Sequence, residues 1–190
     1  MYRLWVFLFV LSCYFTSFAQ SCKVLFIGNS YTYVNNLPEL VSSMYGASGD
    51  GFEYVMSVPG GCTFQQHCTL SLPYIQQGDW DYVVLQEQSQ LPSFPDAQNC
   101  PYFPPLCTYE GMDSLLYARY MLMAEDNHTC VSPVGAAWHY VRGNHPEIEL
   151  YQSDESHPAY MGSYIAACCF YLISVIEGLQ RHTKILNVIH

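Results

Sequence analysis

Short apolar runs alternating with longer helical patterns predict a doubly wound α/β domain built on a parallel sheet. Val24-Leu25-Phe26-Ile27 is apolar at every position and stops at Gly28, as expected of a strand covered on both faces. Further strands are predicted over residues 52–58, 82–86 and 129–134. Between the first two, Asn36 offers an N-cap and Pro38 a first-turn residue, and Leu40, Val41, Met44 and Tyr45 supply one apolar face. That helix is expected to end across residues 46–51, which hold three glycines. Pro59-Gly60-Gly61 breaks the second strand, and residues 70–77 read as a short helix before Gly78-Asp79-Trp80. Residues 109–126 carry Met112, Leu115, Leu116, Tyr120 and Met123 at helical spacing. Helices are also expected over residues 136–142 and 159–179.

Residues 90–108 do not fit this rhythm. They contain five prolines and two cysteines and lack a periodic apolar pattern, so neither strand nor helix is expected there. Only four strands can be counted. Direct pairing of the third with the fourth, in the order 2-1-3-4, would avoid buried unpaired backbone groups. Residues 183–190 are expected to trail beyond a domain spanning 20–182.

Chemistry-bearing residues fall at the strand ends. Ser30 leaves the carboxyl end of the first strand, the edge at which ligands bind in open α/β sheets; Gly28-Asn29-Ser30 read alone is also an ordinary turn. Gly60 and Gly61 permit positive φ and could offer a backbone N–H to the same edge, or only make a tight turn. Glu87-Gln88-Ser89 leaves the third strand there too. Far along the chain, Asp154 and His157 stand three residues apart in a polar loop. A serine hydroxyl needs a base in hydrogen-bond reach, and that base needs an orienting carboxylate. His157 and Asp154 suit those roles; otherwise Asp154 caps the next segment and His157 lies on the surface.

Four blocks in order, Gly28-Asn29-Ser30-Tyr31-Thr32, Pro59-Gly60-Gly61-Cys62-Thr63, Val83-Val84-Leu85-Gln86-Glu87-Gln88-Ser89 and Ser153-Asp154-Glu155-Ser156-His157-Pro158, resemble the SGNH (GDSL-type) serine hydrolases. The wording is most similar to a secreted bacterial branch with Gly-Asn-Ser in the nucleophile block. The resemblance implies a three-layer, flavodoxin-like α/β/α fold, here shortened by one strand-helix unit after strand 3. It implies a cofactor-free esterase acting through an acyl-enzyme, with Ser30, His157 and Asp154 as the catalytic set. Oxyanion donors would be the Ser30 and Gly61 N–H groups and a side-chain amide. Relatives usually have Asn for that amide; Gln88 matches the position and Gln86 is the near alternative. Glu87 is expected to be structural. The rival expectation is a secreted binding or structural protein on the same fold with a degraded site.

Residues 1–19 have Arg3, an apolar run, and Ser17 and Ala19 placed for cleavage, the layout of a secretory signal peptide. Cys13 after Val10-Leu11-Ser12 allows a lipoprotein anchor instead. Cleavage after Ala19 leaves five basic against sixteen acidic residues, a formal charge of −11. Such a chain is not drawn to nucleic acid or anionic membranes, so a neutral small-molecule or glycan ester is expected. Nine cysteines become eight on loss of Cys13, an even number that suggests disulfides in an exported chain, with Cys100 and Cys107 a plausible local pair. Cys62, His67 and Cys68 lack the second pair of a zinc site, and no metal is expected. His67, His128, His139 and His145 are expected in polar loops, His67 near the cleft.

Overall fold

The computed structural model describes residues 21–93, 108–178 and 184–188. In chain order the elements are β1 (Ser21–Ile27), α1 (Ser30–Tyr33), α2 (Leu37–Ser48), β2 (Gly51–Ser57), α3 (Phe64–Leu70), α4 (Leu72–Gln77), β3 (Tyr82–Leu85), α5 (Tyr109–Asp126), β4 (Cys130–Ser132), α6 (Val134–Asn144), α7 (Tyr160–Gly178) and β5 (Lys184–Val188). Single 3-10 turns occupy Val34–Asn36 and Leu91–Ser93.

The strands form one parallel sheet in the order β2-β1-β3-β5-β4. β1 lies inside the sheet, between β2 and β3, and is apolar on both faces: Val24, Leu25, Phe26 and Ile27 are all buried. Each such side chain contributes about 1.5–3 kcal/mol by leaving water. Val24 and Phe26 face α2, α6 and α7 together with Tyr82, Val84, Val41, Trp138 and Phe170. Leu25 and Ile27 face the other way, against Trp80 and Tyr74 of the α4 region. On that second face, α5 covers Val131 with Leu116 and Tyr120. Two helical layers therefore enclose the sheet, as the α/β expectation requires. The connections through α2 and through α6–α7 move one way along the sheet on one face. Those through α3–α4 and α5 move the other way on the opposite face, so all four share one hand.

Two expectations about the sheet are corrected. Residues 94–107, where the sequence predicts neither strand nor helix, lie outside the described residues, and the position beside β3 is filled from elsewhere. Lys184–Val188, expected to trail beyond residue 182, inserts there as β5. It pairs Leu186 with Val84 on one side and with Cys130 on the other, so β3 and β4 do not meet directly. The fifth strand comes from the end of the chain, and the order 2-1-3-4 does not occur.

Smaller differences have local causes. Asn36, the last residue of the 3-10 turn, sits in the left-handed region at φ 51° in place of the extended conformation of a capping residue, and its side chain makes no cap to α2. The helix α3 goes unpredicted, although Thr63 and Gln66 form a reciprocal capping box at its start. Cys22, Cys62, Cys68, Cys130, Cys168 and Cys169 are free thiols, against the disulfide expectation. Burial pushes the Cys22 and Cys169 thiols up to about 11, so they are inert core groups. Cys13, Cys100, Cys107 and the signal segment lie outside the described residues. Among those described, no helix is long and apolar enough to cross a membrane.

Candidate active site

β1 delivers Asn29 and Ser30 at the sheet's carboxyl edge, and the loop between Leu150 and Ala159 returns over the same edge. Ser30 Oγ lies 3.0 Å from His157 Nε2. His157 Nδ1 lies 2.5 Å from Asp154 Oδ2. An ionised carboxylate only accepts, so Nδ1 carries the proton. In the neutral ring Nε2 is then the acceptor for the Ser30 hydroxyl. Asp154 Oδ1 also accepts the backbone N–H of Ser156 at 3.0 Å and of His157 at 2.9 Å. These bonds, the imidazole's first, hold the Asp154 carboxyl down to about 2 from an ordinary 3.8. Ser30 is buried, while the side chains of His157 and Asp154 are 34% and 47% exposed, so the pair faces a solvent-accessible edge.

The loop carrying His157 is pinned from the nucleophile side. Tyr31 stacks on the imidazole with ring centroids 5.4 Å apart, and its hydroxyl lies 2.5 Å from Ser156 Oγ. Asn35 Nδ2 donates to Pro158 O at 2.9 Å and to Ser163 Oγ at 3.0 Å. Within the loop, Gln152 N–H donates to His157 O at 2.8 Å.

The nucleophile turn is held from below by buried polar groups. Gln86 Oε1 accepts the Asn29 N–H at 3.0 Å and the Thr32 hydroxyl at 3.1 Å, while its Nε2 donates to the Glu87 carbonyl. Gly28 has no room for a side chain, since a Cβ would come within 2.7 Å of Thr32 Oγ1 and 2.8 Å of Gln86 Oε1. Asn29 Nδ2 reaches Cys62 O at 3.2 Å, which draws the glycine turn beside Ser30. Gly61 adopts φ 67°, the conformation for which glycine suits that turn. Among the described residues, the N–H groups of Ser30 and Gly61 have no acceptor.

Gln88 is placed differently from its expected role. Its Oε1 caps the following 3-10 turn, accepting from Gln90 N–H at 2.8 Å and Leu91 N–H at 3.0 Å. Its Nε2 is directed to Ser89 Oγ, 3.5 Å away. The extra methylene that separates Gln from Asn lets the amide fold back on its own loop. Gln86, the alternative, braces the turn. Glu87 is structural as expected: both its oxygens accept the Phe64 N–H at the start of α3.

His67 is buried, contrary to its expected place in a polar loop. Its Nε2–H donates to the Gly28 carbonyl at 2.8 Å, and Nδ1 lies 2.6 Å from Ser71 Oγ, which in turn contacts Ser57 Oγ at 2.8 Å. With both ring nitrogens engaged and Cys68 exposed, the Cys62-His67-Cys68 group does not converge. No cluster of three metal-ligating side chains occurs among the described residues. His139 pairs with Asp113 at 3.0 Å and His145 with Glu147 at 3.4 Å.

The sequence matches no protein-family model, and no curated protein matches it significantly. The fold is similar to that of a lipase/acylhydrolase from Enterococcus faecalis, at a TM-score of 0.53 and 13% identity over 80% of this chain and 95% of that one. It is also similar to LAE5, an α/β hydrolase enzyme from the metagenome of Lake Arreo, Spain. There the TM-score is 0.52 and the identity 17%, over 87% of this chain and 99% of that one. The fold is therefore assigned to the three-layer α/β/α class with a parallel sheet.

Proposed function

We propose that this protein is an exported serine ester hydrolase of the SGNH type. The observation that carries the reading is the 3.0 Å approach of Ser30 Oγ to His157 Nε2, with the far ring nitrogen on Asp154. His157 takes the Ser30 proton as the hydroxyl attacks the ester carbonyl, then returns it to the departing alcohol. Asp154 holds the tautomer that makes this possible and stabilises the imidazolium. The Ser30 and Gly61 N–H groups receive the oxyanion; a donor of this kind is worth about 10²- to 10³-fold in rate. With Gln88 folded onto its own loop, the hole is a two-donor one built from backbone. Water then attacks the acyl-enzyme by the same base.

The likeness in fold to enzymes described as a lipase/acylhydrolase and an α/β hydrolase supports ester chemistry. The acidic chain and the aromatic content support a neutral small-molecule or glycan ester. A fluorophosphonate probe should label Ser30, and Ser30→Ala should lose both labelling and p-nitrophenyl acetate hydrolysis with an unchanged circular dichroism spectrum. Parent-like hydrolysis by that variant would overturn the assignment. For export, the pattern of residues 1–19 supports a mature N-terminus at Gln20, which mass analysis of the secreted protein should find. A diacylated fragment starting at Cys13 would establish a lipid anchor instead.

A further inference from the structure

A cleft of about 640 Å³, in the size range of small-molecule sites, is lined in part by Tyr31 and Ser156, the chain neighbours of Ser30 and His157. These two side chains meet each other, Tyr31 Oη lying 2.5 Å from Ser156 Oγ. The buried Trp138 and Leu116 belong to the cleft lining, and Tyr109 and Tyr151 add aromatic rings. None of these groups has a part in the hydrolytic steps described above.

Two charged groups set into this aromatic lining define what the cleft can take. The Asp113 side chain is only 20% exposed, and its Oδ2 meets His139 Nδ1 at 3.0 Å while Oδ1 has no partner among the described residues. The Arg142 guanidinium is seated 4.3 Å from the centre of the Tyr109 ring, which fixes its planar fork of donors. An alkyl chain laid here would cover the carboxylate without offering it a donor. An anionic ligand would meet Asp113 and Glu155 in a chain of net charge −10. A ring with one apolar face and several hydroxyls satisfies both features. Its C–H face lies on the aromatic rings, and its hydroxyls donate to Asp113 and accept from Arg142.

We infer that this cleft binds the non-reacting part of the substrate and that this part is a neutral sugar ring, making the scissile ester that of an acylated glycoside. The position of the bond relative to Ser30 rests on the esterase reading; the ligand class rests on the cleft alone.

Monoacetylated methyl glycosides of glucose, galactose, mannose and xylose are the probes, compared with butyl and octyl acetate. Binding is followed on the Ser30→Ala variant through the fluorescence of Trp138. At least one glycoside should give a saturable change, weakened at least tenfold by Asp113→Ala and by Tyr109→Ala. Arg142→Ala, at an exposed position, serves where the tyrosine variant does not fold. In the parent enzyme kcat/KM for that glycoside should exceed the value for butyl acetate at least tenfold, and the three cleft variants should reduce that ratio. Equal binding and turnover of alkyl acetates and every glycoside would overturn the inference, as would a ratio unmoved in the folded variants. If the glycosides bind while no ester is hydrolysed and Ser30 is not labelled, the reaction fails and the ligand class stands.

Discussion

Asp154 is the residue at which position and charge are most tightly linked. Three hydrogen bonds converge on its carboxylate, and the His157 ring supplies the largest part of the shift that brings its pKa down to about 2. Because the folded value lies below the ordinary 3.8, the bonds stabilise the fold above that pH, and the contribution is lost as pH falls through about 2. Carboxyl-selective NMR should find the midpoint near 2 in the parent and closer to 3.8 in His157→Ala; an unchanged midpoint would remove the ring as the cause. For the same reason, an acid limb of kcat/KM above pH 4 must belong to a group other than Asp154. Asp154→Asn should keep more esterase activity than His157→Ala, since the carboxylate orients the base without taking the proton. The spacing of Asp154 and His157 and the place of Ser30 after an apolar strand made this trio legible in the sequence. The choice between Gln86 and Gln88 was not, because both follow the same strand and only the packed turn decides which one meets Asn29 and Thr32.

At the scale of elements, the junction between β1 and α1 depends on the segment leaving β3. Gln86 is 1% exposed and accepts two hydrogen bonds from the nucleophile turn, so Gln86→Leu would leave the Asn29 N–H and the Thr32 hydroxyl buried without acceptors. A cost of about 1–3 kcal/mol for each such group predicts a fall in Tm of several degrees and a loss of activity larger than the loss of folded protein. Gly28→Ala should act on the same turn by a different route, pushing Thr32 and Gln86 apart through its added methyl. Thermal melts and ester hydrolysis measured on both variants test this, and parent-like activity in either would show that the turn is not braced as described. The capping box of Thr63 and Gln66 was present in the sequence and announces α3 once a helix is sought there. The burial of His67 was not readable, because it depends on α3 folding back so that the ring reaches the Gly28 carbonyl from across the sheet edge.

For the whole molecule the decisive element is β5, which joins two parts of the sheet that the rest of the chain leaves apart. Five residues with an apolar bias at the end of a sequence read equally as a tail or as a strand. Nothing local specifies that β3 and β4 have been left one strand-width apart. The place beside β3 is taken by a segment that the chain delivers only after α7. β5 pairs in register with four residues of β3 and three of β4. Removing it would strip partners from backbone groups on both neighbours, at about 1–3 kcal/mol for each one left buried, against a total stability of roughly 5–15 kcal/mol for a domain. A chain ending at Gly178 should therefore lose its cooperative melt and associate through the two exposed strand edges. Leu186→Pro is the subtler form of the experiment, because Leu186 is paired with both Val84 and Cys130 and proline removes a backbone donor at that central position. Circular dichroism melts and size-exclusion chromatography of both variants decide the matter. A shortened chain that stays monomeric and melts cooperatively at the parent's Tm would return residues 183–190 to the status of a tail and leave the sheet with four strands.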